Sequence, residues 1–295
     1  MSLEVLQTFA MSRWTAPFEG IPQGGLEGQV ESGRVLYFPS LSFALENGEQ
    51  RFLAEHWADI KAKNISYRGT DQPLRGALGN AKDLAELRAM LARFAEQSES
   101  LVHGLFPGYR PHLRRGFTSY RTAQVEARVT SWRKDDTRLH IDAFPSNPTG
   151  GLRLLRVFTN LNPFGRPRVW RVGEPFAAHA ARFLAQARKP CPLCAWGLEK
   201  LGLTKSRRTA YDHYMGQLHD LGKADLDYQR NSPQTTVELA AGSTWVVFSD
   251  QVLHAVMAGQ YLLEQTFYLD PLNLVEPASG PLAILEGLTG RPLRT

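Results

Sequence analysis

The spacing of apolar positions changes its period along the chain. Near the N-terminus, "GRVLYFPSLSF" is an apolar run ended by Pro39 and reads as a strand, while "EQRFLAEHWADIKA" reads as a short helix. "YRGTDQPLRGALGN" has the Gly, Pro and Asn of a connection. "NAKDLAELRAMLARFAEQSESLVHGL" then places Leu84, Leu87, Leu91 and Phe94 at helical spacing behind Asn80, a residue suited to capping, and predicts the clearest helix of the protein. From about residue 117 the character changes. "SYRTAQVEARVTSWR", "TRLHIDAFPS", "GGLRLLRVFTNLN" and "RVWRVG" are short, rich in Val, Phe, Trp and Thr, and separated by turn residues, which predicts strands. "EPFAAHAARFLAQARK" returns to helical spacing, and strands resume with "QTTVELAAGSTWVVFSD", "HAVMAG" and "LLEQTFYLD".

Strand runs interrupted by a helical insertion predict a mainly β fold with surrounding helices, its core a double-stranded β-helix of the cupin-like jelly-roll kind. The chain reads as a single domain over residues 1–295. A mixed α/β part over 1–110 packs on the barrel, a core spans 111–272 with a helical insertion at about 174–227, and 273–295 is a C-terminal tail. There is no βαβ alternation, and neither a G-x-G-x-x-G nor a Walker loop.

Composition adds bounds. The 295 residues are 43% hydrophobic and 21% charged, ordinary for a soluble globular protein. A net charge of +5, from 34 Lys+Arg against 29 Asp+Glu, is a small positive bias that suits an anionic partner but is no nucleic-acid signature, and none is expected. The first residues lack the basic-then-apolar pattern of a secretory signal, and no apolar run approaches the length of a membrane span, so a cytoplasmic protein is expected. Cys191 and Cys194 form one C-x-x-C with no second pair; reduced, partly buried thiols are the expectation.

The chemistry gathers on two distant stretches. In "TRLHIDAFPSN", His140 and Asp142 stand two apart, so on a strand they share a face. Far downstream, "GSTWVVFSDQVLHAV" delivers His254 after a strand and a short turn. Two imidazoles and one carboxylate on one face form a facial triad for Fe(II). Such a triad leaves room for a chelating 2-oxo acid and for dioxygen. The helical H-E-x-x-H of zinc hydrolysis is absent. The far carboxylate of 2-oxoglutarate needs a cation. On the last strand stand Glu264, Gln265 and Thr266, whereas "GLRLLRVFTNL" offers Arg153 and Arg156, three apart and therefore on opposite faces. Arg156 is favoured over Arg153, with the hydroxyls of Thr137 and Thr266 as helpers. His213 and His219, six apart, read as groups facing solvent or substrate.

At this point the sequence resembles the Kdo hydroxylases, Fe(II)/2-oxoglutarate dioxygenases of Gram-negative bacteria. The resemblance spans about residues 110–272. It rests on "YRTAQVEARVTSWRKDDTRLHIDAFPSNPTGGLRLLRVFTNLNPFGRPRVWRVGEPF", "RTAYDHYMGQLHDLGKADLDYQ" and "GSTWVVFSDQVLHAVMAGQYLLEQTFYL". It implies that His140, Asp142 and His254 bind iron, with 2-oxoglutarate and dioxygen as cosubstrates and ascorbate as a stimulant. It implies hydroxylation at carbon 3 of Kdo, the acidic sugar of the lipopolysaccharide inner core, to give Ko. The substrate it implies is a Kdo-lipid A precursor, met by peripheral contact at the cytoplasmic face of the inner membrane. The positive bias fits that anion, and Arg128, Arg166, Arg168 and Arg171 are the candidates to touch sugar acid or phosphate. Competing readings are a 2-oxoglutarate oxygenase acting on another anionic substrate and a non-catalytic carbohydrate-binding barrel.

Overall fold

The computed structural model describes residues 5–22, 25–126 and 130–294. Among the described residues there are ten strands and seven α-helices. The strands are β1 (Leu6–Thr8), β2 (Val35–Phe38), β3 (Ile65–Tyr67), β4 (Arg114–Arg121), β5 (Arg153–Asn160), β6 (Arg168–Gly173), β7 (Gln234–Leu239), β8 (Thr244–Phe248), β9 (His254–Ala258) and β10 (Leu262–Leu269). The helices are α1 (Glu27–Glu31), α2 (Ala81–Leu105), α3 (Phe176–Phe183), α4 (Pro192–Lys200), α5 (Ala210–Ala224), α6 (Leu226–Asn231) and α7 (Pro281–Thr289).

The strands form two open sheets, a seven-stranded one in the order β1-β2-β8-β5-β10-β4-β3 and a three-stranded one in the order β7-β6-β9. The large sheet is mixed, since β1 runs parallel to β2 while the other neighbours are antiparallel. Neither sheet closes on itself, and among the described residues no ladder joins their edges. The expected double-stranded β-helix is therefore corrected to an open mixed sheet facing a small second sheet, with helices around them. The reason lies in "TRLHIDAFPS", the stretch expected to add a strand. It makes one isolated bridge, His140 to His254, and its other backbone groups turn elsewhere. Leu139 is held by a side chain instead: its N–H donates to Gln229 Oε1 (2.7 Å), and Gln229 Nε2 donates to Leu139 O (3.0 Å). Asp135 and Pro145 bound the stretch with turns.

Strand register sorts the large sheet into two faces. Leu155, Val157, Val246, Phe248, Leu263 and Phe267 point one way and pack against Leu87, Met90, Leu91 and Phe94 of α2. That confirms the periodicity of α2, whose first turn is capped by Asn80 accepting from the Asp83 N–H (3.0 Å). "EQRFLAEHWADIKA", by contrast, makes two 3₁₀ turns, Glu49–Phe52 and Glu55–Trp57, in place of the expected helix. On the other face Phe158, Trp245 and Val247 meet Trp170, Val172 and Val256 of the small sheet. Phe158 and Trp170 touch edge to face at 5.4 Å between centroids.

A third cluster seats the helical insertion. Phe176, Phe183, Tyr211, Met215 and Leu218 of α3 and α5 pack with Leu285 of α7 against Ile141 and Leu253. Those last two residues adjoin His140, Asp142 and His254, so the insertion fixes the segments that carry the candidate site. Buried in this cluster is His179, whose pKa burial lowers to about 4. An unfolded histidine titrates near 6.5. Between these two values the unfolded chain binds the proton that the folded chain refuses, so stability falls as pH falls from about 6.5 towards 4. Full titration is worth about 3 kcal/mol. Urea midpoints at neutral pH and near pH 4.5 on the wild type and on His179→Gln are expected to show a smaller acid loss in the variant.

Candidate metal centre

His140 and His254 form an isolated antiparallel bridge. The His140 N–H donates to His254 O (3.0 Å) and the His254 N–H to His140 O (2.9 Å), which brings the two rings to 4.7 Å between centroids. Two residues on, the Asp142 N–H donates to Ser249 O (2.9 Å), and its carboxylate joins the same side. Each imidazole is oriented through Nδ1, His140 donating to Arg138 O (2.7 Å) and His254 to Val252 O (2.8 Å). A carbonyl can only accept, so Nδ1 carries the hydrogen and Nε2 keeps its lone pair. One ligand atom each from His140, Asp142 and His254 then fall within 4.8 Å of one another.

The electrostatics suit a cation. Burial lowers the pKa of both imidazoles, so both are neutral ligands at pH 7. Burial alone would raise the Asp142 carboxyl, but the Arg156 guanidinium beside it outweighs that and holds the group below the usual carboxylate range. Asp142 Oδ2 is buried without a hydrogen bond; Arg156 Nη1 lies 2.9 Å away as an ion pair. Two free Nε2 atoms and an undercommitted carboxylate oxygen are the donor set of a 2-His-1-carboxylate iron centre, so these residues fit the metal. Trp170 stacks on the His254 ring (4.8 Å, 22°), and His219 stands edge-on to His140 at 5.6 Å.

Register also builds a cationic wall. Arg156, Arg121 and Glu264 share the inner face of the large sheet, and Lys63 and Arg168 complete the cavity with Asp136. Most of these charges are committed. Arg121 Nη2 binds Glu264 (2.6 Å), Arg156 Nη1 is 3.2 Å from Glu264, and Lys63 meets Asp136 (2.9 Å). Arg168 differs: it is 2% exposed, its Nε and Nη1 have no hydrogen-bond partner, and among the described residues no carboxylate is within ion-pair distance. Burial, with Arg121 nearby, lowers its pKa to about 9. Gly259 makes the placement possible, because a Cβ there would come within 2.6 Å of Arg168 Cδ.

The other sequence candidates fall in different places. Arg153 lies on the opposite face of β5 from Arg156, bound to Asp250 (2.7 Å) and Gln251 (2.6 Å), outside the cavity. The Thr137 hydroxyl donates to Asp135 (2.6 Å), away from the triad. Thr266 sits opposite Arg156 with a buried, unpartnered hydroxyl. Arg171 points from the far face of β6 to Thr137 O (2.9 Å) and Met257. Arg166 is exposed and lines a separate cavity with Gln124, Glu126 and Gln260. Arg128 lies outside the described residues. Lys63, Arg121 and Trp170 were not singled out from the sequence. Only long-range pairing of β4 with β10, and of β6 with β9, brings Arg121 and Trp170 in, and no local pattern announces that. Cys191 and Cys194, expected as reduced and partly buried, are exposed and joined as a disulfide; Cys191 precedes α4 and its Cα stands 5.2 Å from that of Cys194, within bridging range.

The sequence matches the family described as 3-deoxy-D-manno-oct-2-ulosonic acid (Kdo) hydroxylase over residues 13–292. The chain belongs to the Kdo hydroxylase family. Solved structures of the Kdo hydroxylase KdoO, a non-heme Fe(II) α-ketoglutarate-dependent dioxygenase, are similar over nearly the whole length. Its complex with α-ketoglutarate and Fe(III) shares 47% identity, covering 98% of this chain and 97% of that one, at a TM-score of 0.92. Its cobalt(II) complex shares 47% identity over 99% of this chain and 98% of that one, at a TM-score of 0.95. The complex with succinate and Fe(III) shares 46% identity over the same fractions, at a TM-score of 0.93. No curated protein sequence matches. His140, Asp142 and His254, the three residues that the sequence singled out, thus converge as a group that could hold a metal ion.

Proposed function

We propose that this chain is an Fe(II)/2-oxoglutarate-dependent dioxygenase that hydroxylates Kdo at carbon 3 to give Ko, on a lipid A precursor. The observation that carries the reading is the convergence of two Nε2 atoms and one carboxylate within 4.8 Å, in a member of the Kdo hydroxylase family. Bound Fe(II), with 2-oxoglutarate and dioxygen, supplies the oxidising power for an unactivated C–H bond, which no side chain provides. His140, Asp142 and His254 hold the metal. Their Nδ1 contacts to Arg138 O and Val252 O fix both rings before it binds. Arg156 keeps the Asp142 carboxylate ionised.

Arg168 is our choice for the carboxylate of 2-oxoglutarate far from the metal, in place of Arg156. Arg156 is already shared between Asp142 and Glu264, whereas Arg168 offers buried N–H groups with nothing to receive them. On this reading the enzyme works in the cytoplasm, in peripheral contact with the membrane that holds its substrate; among the described residues no helix is long and apolar enough to cross that membrane.

The test is turnover. Iron-loaded protein given 2-oxoglutarate, dioxygen and Kdo-lipid A should add one oxygen atom to the Kdo unit, releasing one succinate and one carbon dioxide per product. Succinate release with no mass gain on Kdo would remove Kdo as the substrate while leaving the cosubstrate in place.

A further inference from the structure

Large apolar side chains are exposed together on one element that takes no part in the metal centre. Leu193 and Trp196 stand three apart on α4 and share a face. Leu201 and Leu203 follow in the turn after it. The four are 80%, 51%, 76% and 60% exposed. The same stretch is basic: Arg188, Lys189, Lys200, Lys205 and Arg207 are all exposed, against Glu199 as its one acid. Arg68 and Arg75 extend the positive surface from the β3–α2 connection; partial burial first, and then these two neighbouring charges, lower the pKa of Lys205. Among the described residues none of these cations is paired with a carboxylate.

The element is fastened to the candidate site. The Lys205 N–H donates to Ser146 O (3.0 Å) and Arg208 Nε to Pro145 O (3.0 Å), so it lies against the loop that continues from Asp142. Phe144, Pro145 and Arg208 line, with Asp142, a cavity of ≈ 180 Å³. An amphipathic patch with cations at its edge is the pattern of a bilayer-surface helix: apolar groups enter the headgroup–acyl boundary while Lys and Arg meet phosphate. A protein partner fits less well, because a stable interface engages roughly 20–30 residues a side and this patch is built on four apolar groups.

We propose that the segment from Arg188 to Arg208 docks the enzyme on a bilayer carrying anionic lipid, with Leu193, Trp196, Leu201 and Leu203 inserted and the flanking cations on the headgroups. The cavity beside Asp142 is then held next to the surface in which a lipid-linked sugar is anchored. This rests on the reading of the substrate as a Kdo-lipid A precursor.

The test is flotation of the full-length, iron-loaded protein with vesicles of phosphatidylglycerol and phosphatidylcholine, against vesicles of phosphatidylcholine alone. The wild type should float with the anionic vesicles, less so as salt is raised. Two variants, L193S/W196S/L201S and K200E/K205E/R207E, should each bind at least about tenfold more weakly. A wild type that stays at the bottom, or a triple-serine variant that floats as well as the wild type, overturns the proposal. So does light scattering that shows a wild-type dimer and a monomeric triple-serine variant with unchanged flotation; the patch would then be an interface between copies. Hydroxylation of a deacylated, water-soluble Kdo substrate is read in parallel and should be equal in all three proteins, since no substituted residue lines the metal cavity. Flotation lost in the variants with no turnover in any protein would support docking and count against the Kdo reading.

Discussion

Replacing His254 with alanine is expected to abolish the weak visible absorption that Fe(II) and 2-oxoglutarate produce together under anaerobic conditions, and to abolish turnover with it. His254 is one of three groups within 4.8 Å that could together hold a metal ion, and alanine offers no donor atom. Losing a group that only orients a ligand typically costs 10–100-fold in metal affinity, so losing the ligand should cost more than about a hundredfold. His140→Ala should do the same. His254 is buried and stacked on Trp170, so the variant also leaves a void, and circular dichroism with a urea transition must establish that it folds. Trp170→Phe is the graded control. It keeps a ring against His254 and all three ligands, and should retain the absorption at reduced metal affinity. Undiminished absorption in folded His254→Ala would take His254 out of the centre.

The sequence made the candidate ligands legible for a physical reason. A spacing of two on extended chain fixes a shared face, and a histidine at the start of a late strand can return to it. The structure keeps that relation although the stretch around His140 is a single bridge and no strand, because one hydrogen-bonded pair suffices to align the rings. The same parity argument separated Arg153 from Arg156, and the two do face opposite sides of β5. The closed barrel that the strand pattern suggested does not form: alternation marks strands, but which edges pair depends on contacts far apart in sequence. Here Gln229 satisfies the backbone of Leu139, where a neighbouring strand would otherwise be needed. The cationic wall was hidden for the same reason. Lys63, Arg121 and Arg168 come from three separate stretches and meet only where the two sheets face each other. Arg168 looked like one arginine among several in a basic loop. Only the structure shows that, among the described residues, it is buried with Nε and Nη1 unpartnered.

That solitude makes Arg168→Met the most informative change in the cavity wall. The concentration of 2-oxoglutarate needed for half-maximal activity should rise about a hundredfold or more, the range for a buried charge pair losing one partner, about 3 kcal/mol. The protein without 2-oxoglutarate should at the same time become more stable to urea, by roughly 1 kcal/mol or more. A buried guanidinium with Nε and Nη1 unpartnered costs desolvation that methionine avoids, and its lowered pKa of about 9 reports the same cost. Arg156→Met should behave in the opposite way. It strips an ion-pair partner from both Asp142 and Glu264, leaves buried carboxylates exposed to each other's charge, and should destabilise the protein by about 3–5 kcal/mol. Its main functional effect should fall on metal binding, because Arg156 is what holds Asp142 ionised against burial. The pair of variants thus separates an anchor for a ligand from a support for a metal carboxylate. If Arg168→Met leaves the 2-oxoglutarate requirement unchanged and Arg156→Met alone raises it, the anchor is Arg156, and the unpartnered guanidinium of Arg168 has another ligand to explain it.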